Sequence, residues 1–343
     1  MDNRWLIGIA ACLLVAGQPA AADDGDDANP PTERRDGKGP IITAQVENDY
    51  FVSEDDSQYT HGMRLSYFSG ANDVPGFVRK GVQALPFFDE WGDLRTSFAI
   101  GQSMFTPDDL SATEVVEDDR PYAGWLYVDI GVESTTAARR DLVSLSLGVV
   151  GPASYAEQVQ TEFHRIISAP IGEGWDNQLR NEPAAMLTYE RQFHGYAPMD
   201  VFGLEVDATP NWGFALGNVY TYGSTGLMLR LGSDLSQDFG PPLIQPSLPG
   251  SGYFERRGWD DFNWYVFGGV QGRAVAYNIF LDGNTFRDSH RVDKKYLVGE
   301  FQTGIVATLG DVRMGFTQIF RSKEFEGQDA PDVYGAVTVS TGF

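Results

Sequence analysis

The feature that most constrains this fold is a recurrent segment of about ten residues in which apolar and polar side chains alternate. In residues 60–69, Met63, Leu65 and Tyr67 alternate with small or polar residues, and residues 142–150 repeat the pattern. Similar segments lie at 185–193, 201–208, 226–232, 264–272, 296–309 and 312–320. A period of two is typical of β-strands with one apolar and one polar face. Roughly ten residues is also the length of a tilted strand that crosses a bilayer.

A soluble sandwich and a membrane barrel both fit this pattern, and three features favour the barrel. Aromatic residues lie near segment ends, as Trp125, Trp212 and Trp264 do, where barrels carry aromatic girdles. Polar residues also occur inside strand segments, where a polar lumen would accept them: Arg64, Gln102, Glu190, Gln271 and Gln302. The last segment alternates to the terminal Phe343, which resembles the assembly signal of bacterial outer-membrane barrels. We therefore predict an all-β, transmembrane antiparallel β-barrel that closes without edge strands.

We expect about twelve strands, since barrels of this kind have an even number. They are predicted to begin near residues 42, 60, 96, 123, 141, 184, 200, 219, 262, 296, 312 and 332. The stretch 262–283 fits either one long strand or a tight hairpin. Residues 78–85 favour a short helix before Pro86.

The amino terminus indicates export. Residues 1–22 combine a cation, a short apolar run and small residues, which is the pattern of a signal peptide. Residues 9–12 also resemble a lipoprotein box, but the apolar run continues beyond Cys12. Residues 23–39 are polar and predict a disordered leader, so the barrel domain is expected at 40–343.

Charge and cysteine content exclude several classes of protein. The formal net charge is −23, whereas nucleic-acid binding needs a basic surface. Acidic clusters suit divalent cations or simple solubility. Cys12 is the sole cysteine and leaves with the signal peptide, which excludes disulfides and a thiol nucleophile in the mature chain.

With periplasmic termini, odd-numbered strands run outward. Connections near 51–59, 105–122, 151–183, 213–218, 284–295 and 323–331 are then extracellular, and those near 70–95, 135–140, 194–199, 233–261 and 310–311 are periplasmic. The 151–183 connection is predicted to carry a short amphipathic helix, because Val159, Phe163 and Ile166 recur at helical spacing. Gln160 and His164 would share one face of it.

This topology gathers Asn48, Asp49, Thr60 and His164 on the extracellular side. Neutral imidazole is a common general base, and the oxygens of Asn and Asp suit Ca²⁺. A base, a cation and a hydroxyl together could form a hydrolytic site. Each cluster alone also fits an ordinary polar hairpin or a solvent-facing histidine. There is no Gly-x-Ser-x-Gly elbow for a serine hydrolase.

The residues also resemble a family, the outer-membrane lipid A 3′-O-deacylases. The resemblance covers the mature chain and is carried by residues 47–49, 59–62, 102–107, 118–125, 151–152, 158–160, 164–167 and 174–176. It implies a twelve-stranded barrel with its site between the wall and a helix of an extracellular loop. It implies that His164 activates water, that Asn48 and Asp49 hold Ca²⁺, and that Thr60 and Gln160 support them.

The chain departs from the family pattern at two places. Where the family has a carboxylate shortly after the histidine, this chain has Pro170, and Glu173 is the nearest replacement. The 105–122 loop lacks lysine, which leaves Arg120 as its one cation for a substrate phosphate.

The resemblance predicts an enzyme whose substrate is lipid A in the outer membrane. Two alternatives stay open: a transport or structural barrel without catalysis, and a phospholipase using the same residues. The sequence leaves the acyl position and the oligomeric state open.

Overall fold

A computed structural model describes residues 39–51, 58–85, 88, 92–235, 239–256, 258–259 and 261–343. The predicted signal peptide and nearly all of the predicted leader lie outside the described residues. The strands are β1 (Ile41–Asn48), β2 (Gln58–Phe68), β3 (Asp93–Thr106), β4 (Ala123–Thr135), β5 (Arg139–Val150), β6 (Glu182–Phe193), β7 (Tyr196–Val201), β8 (Leu204–Gly217), β9 (Tyr220–Gly232), β10 (Phe262–Asn278), β11 (Leu297–Leu309), β12 (Val312–Arg321) and β13 (Asp332–Gly342). The helices are α1 (Gly76–Gln83), α2 (Ala156–Ile167) and α3 (Ile279–Asp282).

Twelve of the described strands close into an antiparallel barrel, which confirms the predicted fold class and strand number. β1 pairs with β13 from Ile41↔Gly342 to Asn48↔Gly335, so the strand that precedes Phe343 closes the ring. β6 pairs with the later part of β8, and the short β7 pairs with the beginning of β8. β7 is therefore half of a hairpin that extends the barrel and is not a wall strand.

One predicted strand needs correction, and one open alternative is resolved. The segment 201–208 is not continuous, because the chain turns at Phe202 and Gly203, which both have positive φ. The stretch 262–283 is one long strand, β10, followed by α3. The helices predicted near 78–85 and 157–167 are present as α1 and α2.

The two faces of the wall differ as predicted. Exposed apolar side chains alternate along the outer face, among them Leu65, Ile100, Val128, Leu229, Val270 and Ile305. The inner face carries buried polar side chains, including Glu190, Gln271 and Gln302, and the half-buried Arg64. Gln102 is an exception: it follows the alternation of the exposed Phe98 and Ile100, so the prediction that it faces the lumen was wrong. No helix among the described residues is long and apolar enough to cross a membrane.

We call the end of the barrel near Ile41 and Gly342 the terminal rim, and the opposite end, where β1 and β3 finish, the site rim. Near the site rim an apolar layer fills the lumen. Phe280 of α3 stacks on Phe105 with ring centroids 4.0 Å apart, and Tyr59 packs against Tyr334 at 4.9 Å. Buried aromatic and aliphatic side chains from most strands complete this layer.

Below the apolar layer the lumen holds residues 239–256, which we call the plug. They belong to the connection 233–261, which is predicted to be periplasmic, and none of them is exposed, because the chain folds back into the lumen. Their carbonyl groups accept hydrogen bonds from opposite sides of the wall, Pro242 from Gln45 at 2.8 Å and Pro249 from Gln192 at 2.8 Å. A segment with four prolines lacks the N–H groups that helices and sheets require, so lumen side chains satisfy its carbonyls instead.

Little space is left inside the described part of the lumen. Ser247 of the plug donates to Glu300 at 2.6 Å, and the guanidinium of Arg95 lies 3.4 Å from the ring centre of Tyr253. A polar cavity of about 50 Å³ lies beside Arg64 and Glu190. That volume suits a few water molecules and not a solute path.

Candidate active site

Three adjacent strand ends form the site rim near β1. Asn48 ends β1 and Asp49 begins a 3-10 turn, while Thr106 ends β3. Thr60 lies at a register shift in β2, between Gln58 and His61. This irregularity lets Tyr59 face the lumen while His61 follows the alternation of the outward-facing Met63 and Leu65.

Hydrogen bonds connect these strand ends. The Asn48 Nδ2 donates to the Thr60 carbonyl at 2.7 Å and lies 3.2 Å from Nδ1 of His61. The hydroxyl groups of Thr60 and Thr106 are 2.7 Å apart. The structure thus places Asn48 in contact with Thr60, with Asp49 next in the chain, and all three are buried.

The helix α2 covers the outer face of the wall, not the lumen. Ala156 packs with Met104, Tyr122 and Trp175, and Met104 shares the outward face of β3 with Ile100. Gly124 makes this approach possible, because a Cβ there would lie 2.2 Å from the Cβ of Ala156. The helix is therefore held against the side of the barrel that faces lipid.

A ring contact joins α2 to the strand ends. The Phe163 ring lies 4.8 Å from that of His61, and His61 is the register partner of Asn48. His164 follows Phe163 on the helix and is 1 % exposed. The predicted base therefore lies on the element that contacts His61, whose Nδ1 is 3.2 Å from the Asn48 amide nitrogen.

The backbone carbonyl of Pro170 orients His164. His164 Nδ1 is within hydrogen-bonding distance of this oxygen. Because a carbonyl can only accept, the neutral ring carries its proton on Nδ1 and its basic lone pair on Nε2. The main-chain carbonyl of Pro170 thus contacts the His164 ring. At this position the resembled family pattern has a carboxylate side chain instead.

Gln160 shares the buried face of α2 with His164, as the helical spacing predicted. Its Oε1 accepts a hydrogen bond from Trp175 Nε1 at 2.6 Å. Its Nε2 is buried and has no hydrogen-bond partner among the described residues. This amide is therefore oriented by the indole, with both N–H donors of Nε2 left for groups that enter the site.

Glu173 and Arg120 lie elsewhere. Glu173 is exposed, and its N–H donates to the Leu110 carbonyl at 2.8 Å. Arg120 is 1 % exposed and donates to Glu324 at 3.1 Å. Burial raises the pKa of Glu324, but Arg321 and Arg120 outweigh burial and the pKa lies below its usual range. Arg120 is thus committed to an internal ion pair and not presented to a phosphate.

The donor types at the rim fit Ca²⁺. Asn48 offers an amide oxygen and Asp49 a carboxylate, and both side chains are at least nine-tenths buried. The described residues contain no group of three or more His, Cys, Asp and Glu side chains able to hold a metal. A calcium ion there would complete its six to eight oxygens with carbonyl groups and water, which it accepts readily.

Sequence reasoning missed the roles of His61, Thr106, Trp175 and the Pro170 carbonyl. His61, Thr106 and Trp175 fall within the quoted segments 59–62, 102–107 and 174–176, so those segments were the available signal. The Pro170 carbonyl left no signal in the sequence, because every residue type has a backbone carbonyl.

Comparisons with known proteins agree with this architecture. The sequence profile of a family described as outer membrane protein LpxR matches residues 7–343. The structure described as LpxR from Salmonella typhimurium is similar, with a TM-score of 0.71 and 22% identity over 88% of this chain and 100% of that chain.

Two other barrels are more distant. The beta domain of the Bordetella autotransporter BrkA matches with 10% identity and a TM-score of 0.42, over 89% of this chain and 99% of that one. The translocator domain of NalP from Neisseria meningitidis matches with 9% identity and a TM-score of 0.41, over 89% of each chain.

No curated protein matches the sequence. The profile spans nearly the whole sequence, which confirms the family resemblance, and the chain therefore belongs to the LpxR family of outer membrane proteins.

Proposed function

We propose that this protein is a calcium-dependent hydrolase that removes an ester-linked acyl chain from the 3′ position of lipid A in the outer leaflet. The observation that carries the proposal is the buried His164, oriented through Nδ1 by a carbonyl, on a helix held against the lipid side of the wall. A lipid can reach such a site from within the membrane.

In the proposed reaction, Nε2 of His164 removes a proton from water as the water oxygen attacks the ester carbonyl carbon. The tetrahedral intermediate then collapses, and the bond from that carbon to the sugar oxygen breaks. The imidazolium returns its proton to the departing oxygen. The products are a free fatty acid and a 3′-hydroxyl group.

Asn48 and Asp49 would hold the calcium ion, which would supply positive charge to stabilise the oxyanion. Thr60 would keep Asn48 in place through its carbonyl and would link β2 to Thr106 through its hydroxyl. Gln160 would donate an N–H of its Nε2 to the ester or to the attacking water. Glu173, the predicted replacement for the carboxylate at position 170, is exposed, so we assign it no step in the reaction.

Lumen packing argues against the transport alternative. The plug and the apolar layer occupy the described part of the lumen, where the cavity beside Arg64 and Glu190 holds about 50 Å³. The phospholipase alternative shares every proposed step, so substrate analysis must distinguish it.

Mass spectrometry of lipids from cells with and without the protein tests the proposal. We expect lipid A to lose the mass of its 3′ acyl group when calcium is present, and to keep it when a chelator is added. Unchanged lipid A would contradict the proposal, and lysophospholipid appearing instead would favour the phospholipase.

A further inference from the structure

The plug and the candidate site meet at one strand end. Glu47 immediately precedes Asn48 and is fully buried. It shares the lumen face of β1 with Thr43 and Gln45, which both donate hydrogen bonds to plug carbonyl groups. Asn48 lies on the opposite face, so a single peptide unit separates the plug side of the wall from the site side.

The carboxylate of Glu47 is held through both oxygens. The N–H of Ile244, in the plug, donates to Oε1 at 2.7 Å. The hydroxyl of Tyr59 donates to Oε2 at 2.9 Å. One contact comes from the lumen segment and the other from the residue that precedes Thr60.

The plug also contacts β2 directly opposite Glu47. Gly62 is the register partner of Glu47, and a Cβ added to it would lie 2.9 Å from Cδ1 of Ile244. Ile244 therefore fits against two adjacent strands at once. Through Glu47 and Tyr59 it constrains the backbone on which Asn48 and Thr60 are placed.

We propose that Glu47 is a positioning residue that anchors the Asn48–Asp49 turn to the plug and thereby sets the geometry of the calcium ligands. This inference rests on the proposed function, because it assigns calcium to Asn48 and Asp49. Glu47 itself faces the lumen and contacts neither the ion nor the lipid. Groups that orient metal ligands typically change metal affinity or activity 10- to 100-fold when they are removed.

Calcium binding measured by titration calorimetry on the purified, folded barrel tests this role without relying on hydrolysis. In Glu47→Ala the Ile244 N–H and the Tyr59 hydroxyl lose their acceptor, and we expect calcium affinity to fall by about tenfold. Glu47→Gln keeps an acceptor for Ile244 and should restore most of the affinity. Hydrolysis should lose kcat while KM for the lipid stays nearly constant.

Glu190 provides the matched control. It is another buried lumen carboxylate, it accepts a hydrogen bond from Gln245 of the plug, and it lies on β6, away from the site strands. Glu190→Ala should leave calcium affinity unchanged.

Should Glu47→Ala fail to fold, Tyr59→Phe removes one of the two hydrogen bonds and keeps the ring, and a smaller fall in affinity is expected.

Equal calcium affinity in the wild type, Glu47→Ala and Tyr59→Phe would overturn the inference, as would equal losses in Glu47→Ala and Glu190→Ala. Wild-type protein that binds no calcium would overturn it as well. Wild-type protein that binds calcium but hydrolyses no lipid would contradict the proposed function alone.

Discussion

The ends of β1, β2 and β3 present two different surfaces on the two faces of one wall. On the lumen face, Glu47, Tyr59 and Phe105 are enclosed by the plug and the apolar layer. On the outer face, one residue further along β1 and β3, lie Asn48 and Thr106, and α2 contacts the neighbouring His61 through Phe163. The same backbone thus separates a filled interior from an outer face on which buried polar side chains lie close to α2.

This difference shows where function can reside. Interior polar groups are engaged by chain segments that cross the lumen, so they stabilise the barrel. Outer polar groups lie between the wall and α2, at the boundary where an acyl chain is already present. Apart from Glu47, which lies next to the proposed calcium ligands, inner-face substitutions should therefore act mainly on stability and outer-face substitutions mainly on activity.

The largest effect expected on the inner face is from Glu300→Ala. The carboxylate of Glu300 is buried. It forms ion pairs with Arg273 at 3.1 Å and Arg321 at 3.0 Å, and it accepts a hydrogen bond from Ser247 of the plug. Removing it leaves two buried guanidinium groups without their shared carboxylate, which should cost about 3–5 kcal/mol of unfolding free energy. The unfolding free energy is measured by urea unfolding in lipid vesicles. Glu326→Ala, which removes an exposed carboxylate, is the control.

A mild Glu300→Ala phenotype, equal to that of Glu326→Ala, would mean that the plug contributes little to the barrel. The claim that polar groups on the lumen face stabilise the barrel would then fail.

The next effect is expected at the contact between α2 and the wall. A larger residue at Gly124 must displace Ala156 and Ser154, so Gly124→Leu should move the helix off the outer face. Overpacking of this kind costs about 1–3 kcal/mol, and we expect hydrolysis to fall about tenfold or more while the barrel stays folded. Gly223→Ala is the control, since nothing lies within 4 Å of the added Cβ.

If Gly124→Leu instead retains full activity, the helix does not need to lie against the wall. Gel mobility of unheated samples would report whether each variant remains a closed barrel.

The smallest effect is expected from Trp175→Phe. This change keeps an aromatic ring beside Tyr122 and removes the N–H that orients Gln160. A single hydrogen bond contributes about 0.5–1.5 kcal/mol, so kcat should fall by roughly two- to tenfold. Activity equal to that of wild type would show that Gln160 needs no orienting partner.

The strands were predictable because lipid on one side and polar contacts on the other impose alternation, as at Met63, Arg64 and Leu65. The helix α2 was predictable because its apolar residues follow a helical period. The plug was not, since its prolines suppress any periodicity and resemble an ordinary connection. The Pro170 carbonyl was also invisible, because a main-chain contact depends on the tertiary path and not on residue type.

The most direct test of the account is kcat for release of the 3′ acyl chain by purified His164→Ala, measured in calcium beside Glu190→Ala. Loss of the general base should lower kcat by about 10²–10⁴-fold in a folded barrel, whereas the lumen substitution should leave it within about twofold. A His164→Ala enzyme as active as the wild type would contradict the account.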